Sequence, residues 1–107
     1  MKRKIKSSYD LRENSQEMYI HNLIESLEYE LSENPLDGVE WTKVMYSASP
    51  DGRSSIMIVI ATGRVDGGYS CITVNCPIYE LTQDEGEIYQ DVEMIVEDYI
   101  KPVLKDG

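Results

Sequence analysis

The chain has 107 residues, one histidine, two cysteines and a formal net charge of −10. That length suits a single domain with one ordinary core, and its plentiful Leu, Ile and Val exclude a disordered chain. A lone histidine with no serine or cysteine nucleophile motif argues against a hydrolytic triad, and no apolar run reaches the length of a membrane-spanning helix.

In chain order, Met1-Lys2-Arg3-Lys4-Ile5-Lys6 reads as the start of a basic, flexible N-terminal arm over residues 1–9. No apolar region follows its lysines, so it is not a signal peptide, and the expected location is the cytoplasm. The acidic domain is expected over residues 10–107. Asp10 with Glu13, and Asn14 with Glu17, are spaced as capping boxes. A helix then runs to about Glu33 on the stripe Ile20, Leu23, Ile24, Leu27 and Leu31, which has the period of an amphipathic helix. His21, on its flank, is expected to face solvent in a structural role. Asn34-Pro35 ends the helix, because Asn accepts a left-handed exit and Pro cannot continue.

Leu36-Asp37-Gly38 turns the chain into three strands. The first, Trp41 to Ala48, places Val44, Tyr46 and Ala48 on one face and Trp41, Lys43 and Met45 on the other. Ser49-Pro50-Asp51-Gly52-Arg53 is hairpin-turn chemistry. The second strand, Ile56 to Ala61, is too short for a buried helix and rich in β-branched residues. Gly63 to Gly68 signals a second hairpin, and Tyr69 to Cys76 alternates as a third strand before Pro77. Cys71 and Cys76, five apart on that strand, point to opposite faces and cannot bridge each other. Both are expected as small buried or half-buried residues, and their spacing suits no metal. Thr82 with Glu85 forms another capping box, opening a helix with the stripe Ile88, Val92, Ile95, Val96, Tyr99 and Val103. Pro102 either ends this helix near Ile100 or kinks its last turn. The expected fold is α+β, an αβββα single domain with both helices packed on one face of an antiparallel meander.

Both faces of the middle strand, Ile56/Ile58/Ile60 and Met57/Val59/Ala61, are apolar. A sheet with one wet face should instead alternate apolar and polar residues. The second face therefore calls for a cover. The chain's own N-terminal arm or a straddling helix would serve, as would a second protein surface. On the latter reading Trp41, Met45, Met57 and Val59 form a homodimer face.

Charge is unevenly spread. Residues 1–12 hold five of the ten basic residues. From Glu13 to Ile100 there are eighteen carboxylates against Lys43, Arg53 and Arg64, a net charge of −15 over that span. Glu25, Glu28, Glu30 and Glu33 crowd the end of the first helix, where the helix dipole prefers cations. Asp91, Glu93, Glu97 and Asp98 are expected on the exposed side of the second helix, without a Lys or Arg four residues away. Like charges at such spacings cost stability. One reading is a solubilising face. The other is a surface built for a basic partner, because carboxylates three and four apart on a helix lie about 5–6 Å from each other, similar to phosphates along a nucleic-acid strand.

This order of elements, with its strong negative charge, resembles small inhibitors such as phage-encoded anti-CRISPR and anti-restriction proteins and nuclease-immunity proteins. More distantly, it is similar to the acidic dimeric chaperones of secretion systems. The resemblance covers roughly residues 10 to 104 in build and charge, with no motif matched. It implies a non-enzymatic, stoichiometric binding protein, without cofactor or metal, that blocks a basic nucleic-acid-handling partner by mimicry and does not bind nucleic acid or membrane itself. The residues expected to carry the contact are Glu28, Tyr29, Glu30, Glu33, Asp91, Glu93, Glu97 and Asp98. The alternative is a dimeric scaffold or chaperone-like module using the apolar second face.

Overall fold

The apolar stripe of the first helix organises everything packed above the sheet. Helix α1 spans Ser8–Glu33 and buries Tyr19, Ile20, Leu23, Leu27 and Leu31 along one side. A computed structural model describes residues 8–65 and 68–106 of the chain. Residues 1–7 of the basic arm lie outside the described residues, as does the Asp66-Gly67 tip of the second hairpin. The helix starts earlier than the capping boxes suggest: Asp10 and Asn14 lie inside α1. Both boxes are followed by residues able to continue a helix, so the spacing alone does not mark the first turn.

Asn34 closes α1 by donating its backbone N–H to the Glu30 carbonyl at 2.9 Å. Gly38, at φ +80°, then takes the left-handed position that turns the chain into the sheet. Strands β1 (Val39–Ala48), β2 (Ser54–Val65) and β3 (Gly68–Pro77) form one antiparallel meander in the order β1-β2-β3. The β1–β2 turn works as its composition predicts. The Ser49 N–H donates to the Arg53 carbonyl at 2.9 Å, and Gly52 adopts φ +88°. The Ser49 hydroxyl reaches both the Asp51 carboxylate and the Arg53 carbonyl. The Ser49 hydroxyl and the Arg53 amide hold the Asp51 carboxyl below its ordinary value.

Register decides what each strand buries. Val44, Ile58 and Val74 stand in one cross-strand row, Tyr46, Ile56 and Cys76 in the next, and Thr42, Ile60 and Ile72 in a third. These rows face the helices, and Ile56, Ile58 and Ile60 are fully buried there. Each such isoleucine contributes roughly 1.5–3 kcal/mol of burial. The alternate rows face away from both helices.

Beyond Pro77, a 3-10 turn (Ile78–Glu80) buries Ile78, and Leu81 follows it into the core. Thr82 does not cap a helix here. A second 3-10 turn, Glu85–Glu87, is capped by Asp84, whose carboxylate accepts from the Gly86 N–H at 2.9 Å. Helix α2 (Ile88–Met94) then passes through a π-helical segment, Ile95–Ile100, into α3 (Lys101–Asp106). Pro102 neither ends nor breaks this rod. A proline ring collides with the carbonyl four residues back and offers no N–H, and the preceding turn is widened so that the Lys101 N–H donates to the Val96 carbonyl, five residues back. The π turn is thus the local accommodation of Pro102. It still presents Ile95, Val96 and Ile100 to the core.

Candidate functional site

Helices α1 and α2 lie side by side on the sheet, and their outer flanks enclose a groove. Glu30, Tyr89, Val92, Glu93, Val96 and Glu97 line a cleft of about 320 Å³. A second cleft of about 350 Å³ adjoins it, sharing Glu30, Tyr89 and Val92 and adding Glu25, Ser26 and Tyr29. The floor is the solvent side of the helix–helix seam, where Val92 and Val96 are almost wholly buried. Carboxylates stand on both walls, from α1 and from α2 with the π segment. The two tyrosines project from the groove into water, Tyr29 at 67% and Tyr89 at 87% exposure.

Of the residues expected to meet a partner, the fold brings Tyr29, Glu30, Glu93 and Glu97 to this groove. Glu28 lies on the other flank of α1, lining a separate cleft with Pro35 and Trp41. Glu33 and Asp98 are exposed but line neither half of the groove. Tyr89 and Glu25 belong to the groove and were not expected there. Tyr89 stands four residues before Glu93, so helical spacing from the acidic side could have found it.

Asp91 is not on the surface at all. It is 2% exposed, and three donors hold its carboxylate. The Tyr19 hydroxyl donates to Oδ2 at 2.7 Å, the Thr82 hydroxyl to Oδ2 at 2.7 Å, and the Thr82 N–H to Oδ1 at 3.0 Å. The reason is positional. Asp91 is three after Ile88 and four before Ile95, so it falls on the apolar stripe of α2, facing α1. A carboxylate survives there because it is fully hydrogen-bonded and lies in the first turn of a helix, where the dipole favours negative charge. Gln83, in the loop, takes a left-handed φ of 59°. Burial, followed by the hydrogen bond to Asp91, pushes the Tyr19 phenol well above its ordinary value. This cluster ties α1, the loop and α2 together and is a structural lock, not a contact surface.

The groove carboxylates are relieved unevenly. Glu97 pairs with Lys101 one turn on, Oε2 to Nζ at 2.7 Å, which corrects the expectation of no cation four residues away. His21 faces solvent as expected, with Nε2 at 3.2 Å from Oε2 of Glu25. Glu30 accepts an amide N–H from Asn34 Nδ2 at 3.1 Å and has no ion-pair partner among the described residues. Among the described residues Glu93 has no ion-pair partner.

Both cysteines are free thiols. Cys76 is buried beneath the helices, and burial pushes its thiol up to about 11, whereas Cys71 is exposed on the opposite face, contrary to expectation. Among the described residues no helix packs on that face of the sheet. Trp41 is 45% exposed there, and Met45, Met57 and Val59 are half-buried. Among the described residues no group of three His, Cys, Asp or Glu side chains is placed to hold a metal ion, and no helix is long and apolar enough to cross a membrane. Comparison with known proteins finds no matching family model, no matching curated protein and no matching solved structure.

Proposed function

We propose that the chain is a non-enzymatic, stoichiometric inhibitor that occupies the nucleic-acid groove of a basic partner. The observation that carries this reading is the helical groove itself. Carboxylates from two separate elements converge on one channel, Glu25 and Glu30 from one side and Glu93 and Glu97 from the other, between two exposed tyrosines. A strongly anionic ridge on each wall offers a cationic surface two lines of negative charge, as a nucleic acid does. Tyr29 and Tyr89 are the aromatic anchors, able to stack on arginine side chains of the partner. The net charge of −10 steers the encounter and makes it fast and salt-sensitive.

The tagged chain, incubated with nucleic-acid-binding enzymes of its host at low and high salt, tests this. Captured enzyme should lose its bound labelled duplex at a one-to-one ratio as the protein is added. The triple replacement Glu30→Lys/Glu93→Lys/Glu97→Lys should abolish displacement while leaving the circular dichroism spectrum unchanged. Displacement that survives the triple reversal, or capture without loss of nucleic acid, rules the mimicry out.

A further inference from the structure

A cavity of about 630 Å³ opens at the turn end of the sheet, between α1, the β1–β2 turn and the chain that follows β3. Small-ligand sites span about 300–1,000 Å³. No carboxylate lines it, in a chain that has twenty Asp and Glu residues. Acidic side chains line both halves of the helical groove, the cleft at Trp41 and the one beside Lys101. The cavity instead gathers uncharged donors and acceptors: four serines, at 47, 49, 54 and 55, and the carboxamides of Gln16 and Gln83. Arg53 is the one cation in the lining, and it already faces Asp51, Nε to Oδ2 at 3.7 Å. Tyr79 also lines the cavity and is 78% exposed.

Gln83 is the one non-glycine residue with a left-handed backbone among the described residues, at φ 59°. Glutamine lacks the short side chain that lets Asn and Asp settle there, and glycine would fold at less cost. The loop nevertheless fixes this conformation. Thr82 before it is fastened to Asp91 through its N–H and its hydroxyl, and Asp84 after it caps the next turn. The result is a carboxamide held at the cavity. Its bond across to Gln16, Nε2 to Oε1, is long at 3.4 Å. So weak a contact between exposed side chains does not account for a strained backbone.

We infer that this cavity binds a short, uncharged saccharide. The lining selects against the other classes of small ligand. An anion would meet one guanidinium already shared with Asp51, in the field of a chain of net charge −10. A cation would find no carboxylate in the lining. A wholly apolar molecule would strand the hydroxyls and carboxamides without partners. A sugar matches them, because its hydroxyls donate and accept as serine hydroxyls and carboxamides do. Its apolar C–H face needs a flat apolar surface, and the ring of Tyr79 supplies one. The cavity shares no residue with the helical groove, so the inference does not depend on the groove's role.

Nuclear magnetic resonance of the full nitrogen-15-labelled chain tests the inference, titrated separately with maltose, cellobiose and diacetylchitobiose. With at least one of them, the side-chain amide signals of Gln16 and Gln83 and the backbone signals of Gly52 and Ser54 should move together and saturate. Glu93, in the groove, should stay still. Inorganic phosphate and putrescine, at matched ionic strength, should move none of the cavity signals to saturation. Gln83→Gly should weaken binding by up to about tenfold, the worth of one hydrogen bond, while melting no lower than the parent. Tyr79→Ala, at an exposed position, should weaken binding severalfold with the fold intact, and Tyr79→Phe should keep it. Cavity signals that none of the three disaccharides moves overturn the inference. Saturation by phosphate or putrescine instead overturns it too, since the site then selects charge. Saccharide binding that is unchanged in both Gln83→Gly and Tyr79→Ala overturns it equally, because the contact then lies elsewhere.

Discussion

Replacing Tyr19 with phenylalanine removes one oxygen from the core, yet it takes away one of the three donors that hold the Asp91 carboxylate. A hydrogen bond to a buried charged group contributes about 1.5–3 kcal/mol. Tyr19→Phe should therefore lower stability by that much in urea titration, and Thr82→Val by a similar amount, whereas a surface Tyr29→Phe should be neutral. The same buried groups set the alkaline limit. Tyr19 and Cys76 both keep their protons in the folded state at pH values where the unfolded chain releases them. Their contribution is full below the ordinary values of 9.0 and 10.0 and is lost as pH rises, for Cys76 through about 11. The slope is about 1.4 kcal/mol per pH unit for each proton. The urea midpoint should hold flat from neutral pH to about pH 9 and then fall, and Tyr19→Phe should flatten the steeper part of that fall. The lock was half legible in the sequence. Position 91 sits on the helical stripe, but an aspartate there reads as surface until its donors are known. Two of those donors belong to Thr82 in a loop, and the third comes from seventy-two residues away.

The central strand separates two faces that look alike in the sequence. Ile58 lies under the helices with no exposure, and Val59, next to it, is half-buried on the open side. Ile58→Ala should cost about 2–5 kcal/mol, the range for emptying a well-packed core site. Val59→Ala should cost no more than about 1 kcal/mol, the span of strand propensity. Equal losses in chemical denaturation would mean that both faces are covered within one chain. The meander itself was readable because its punctuation is chemical: Pro-Asp-Gly at the first turn and the glycines that start the third strand leave few alternatives. Which apolar face receives the helices was not readable, since Ile56-Met57-Ile58-Val59-Ile60-Ala61 is apolar on both. Tertiary packing of two separate helices made the choice. The continuation past Pro102 was equally hidden, because a proline stops a helix only if the turn before it cannot widen.

At the scale of the whole molecule, charge among the described residues crowds the helical side, and the rows from Trp41–Ala61–Cys71 to Ser47–Ser55–Pro77 on the other side of the sheet carry Lys43 alone. The crowding was visible in the sequence, but the meeting of α1 and α2 flanks that turns separate acidic runs into one groove was not, because it depends on how the two helices lie against each other. If the groove acids serve a partner, they should work against the fold that carries them. Glu30 lies near the C-terminal end of α1, which has no basic residue in its last turn, so the dipole opposes it. Glu93 lines the same channel and has no ion-pair partner among the described residues. A carboxylate near a helix C-terminus, as Glu30 is, costs about 0.3–1 kcal/mol at low ionic strength, and like charges four apart on a helix, as Glu93 and Glu97 are, cost about 0.2–0.5 kcal/mol. Glu30→Gln and Glu93→Gln should therefore each raise the thermal midpoint, and added salt should raise that of the parent while shrinking the advantage of the variants, because screening removes the repulsion they relieve. Glu97→Gln should behave in the opposite way, since it breaks the pairing with Lys101 in the favourable orientation of an i, i+4 pair. Stabilisation at Glu30 and Glu93, combined with weaker capture of a basic partner, is the pattern of residues kept for binding at the expense of stability. If both glutamine variants melt lower than the parent, the groove acids are structural, and the reading of the groove as a nucleic-acid mimic loses its footing.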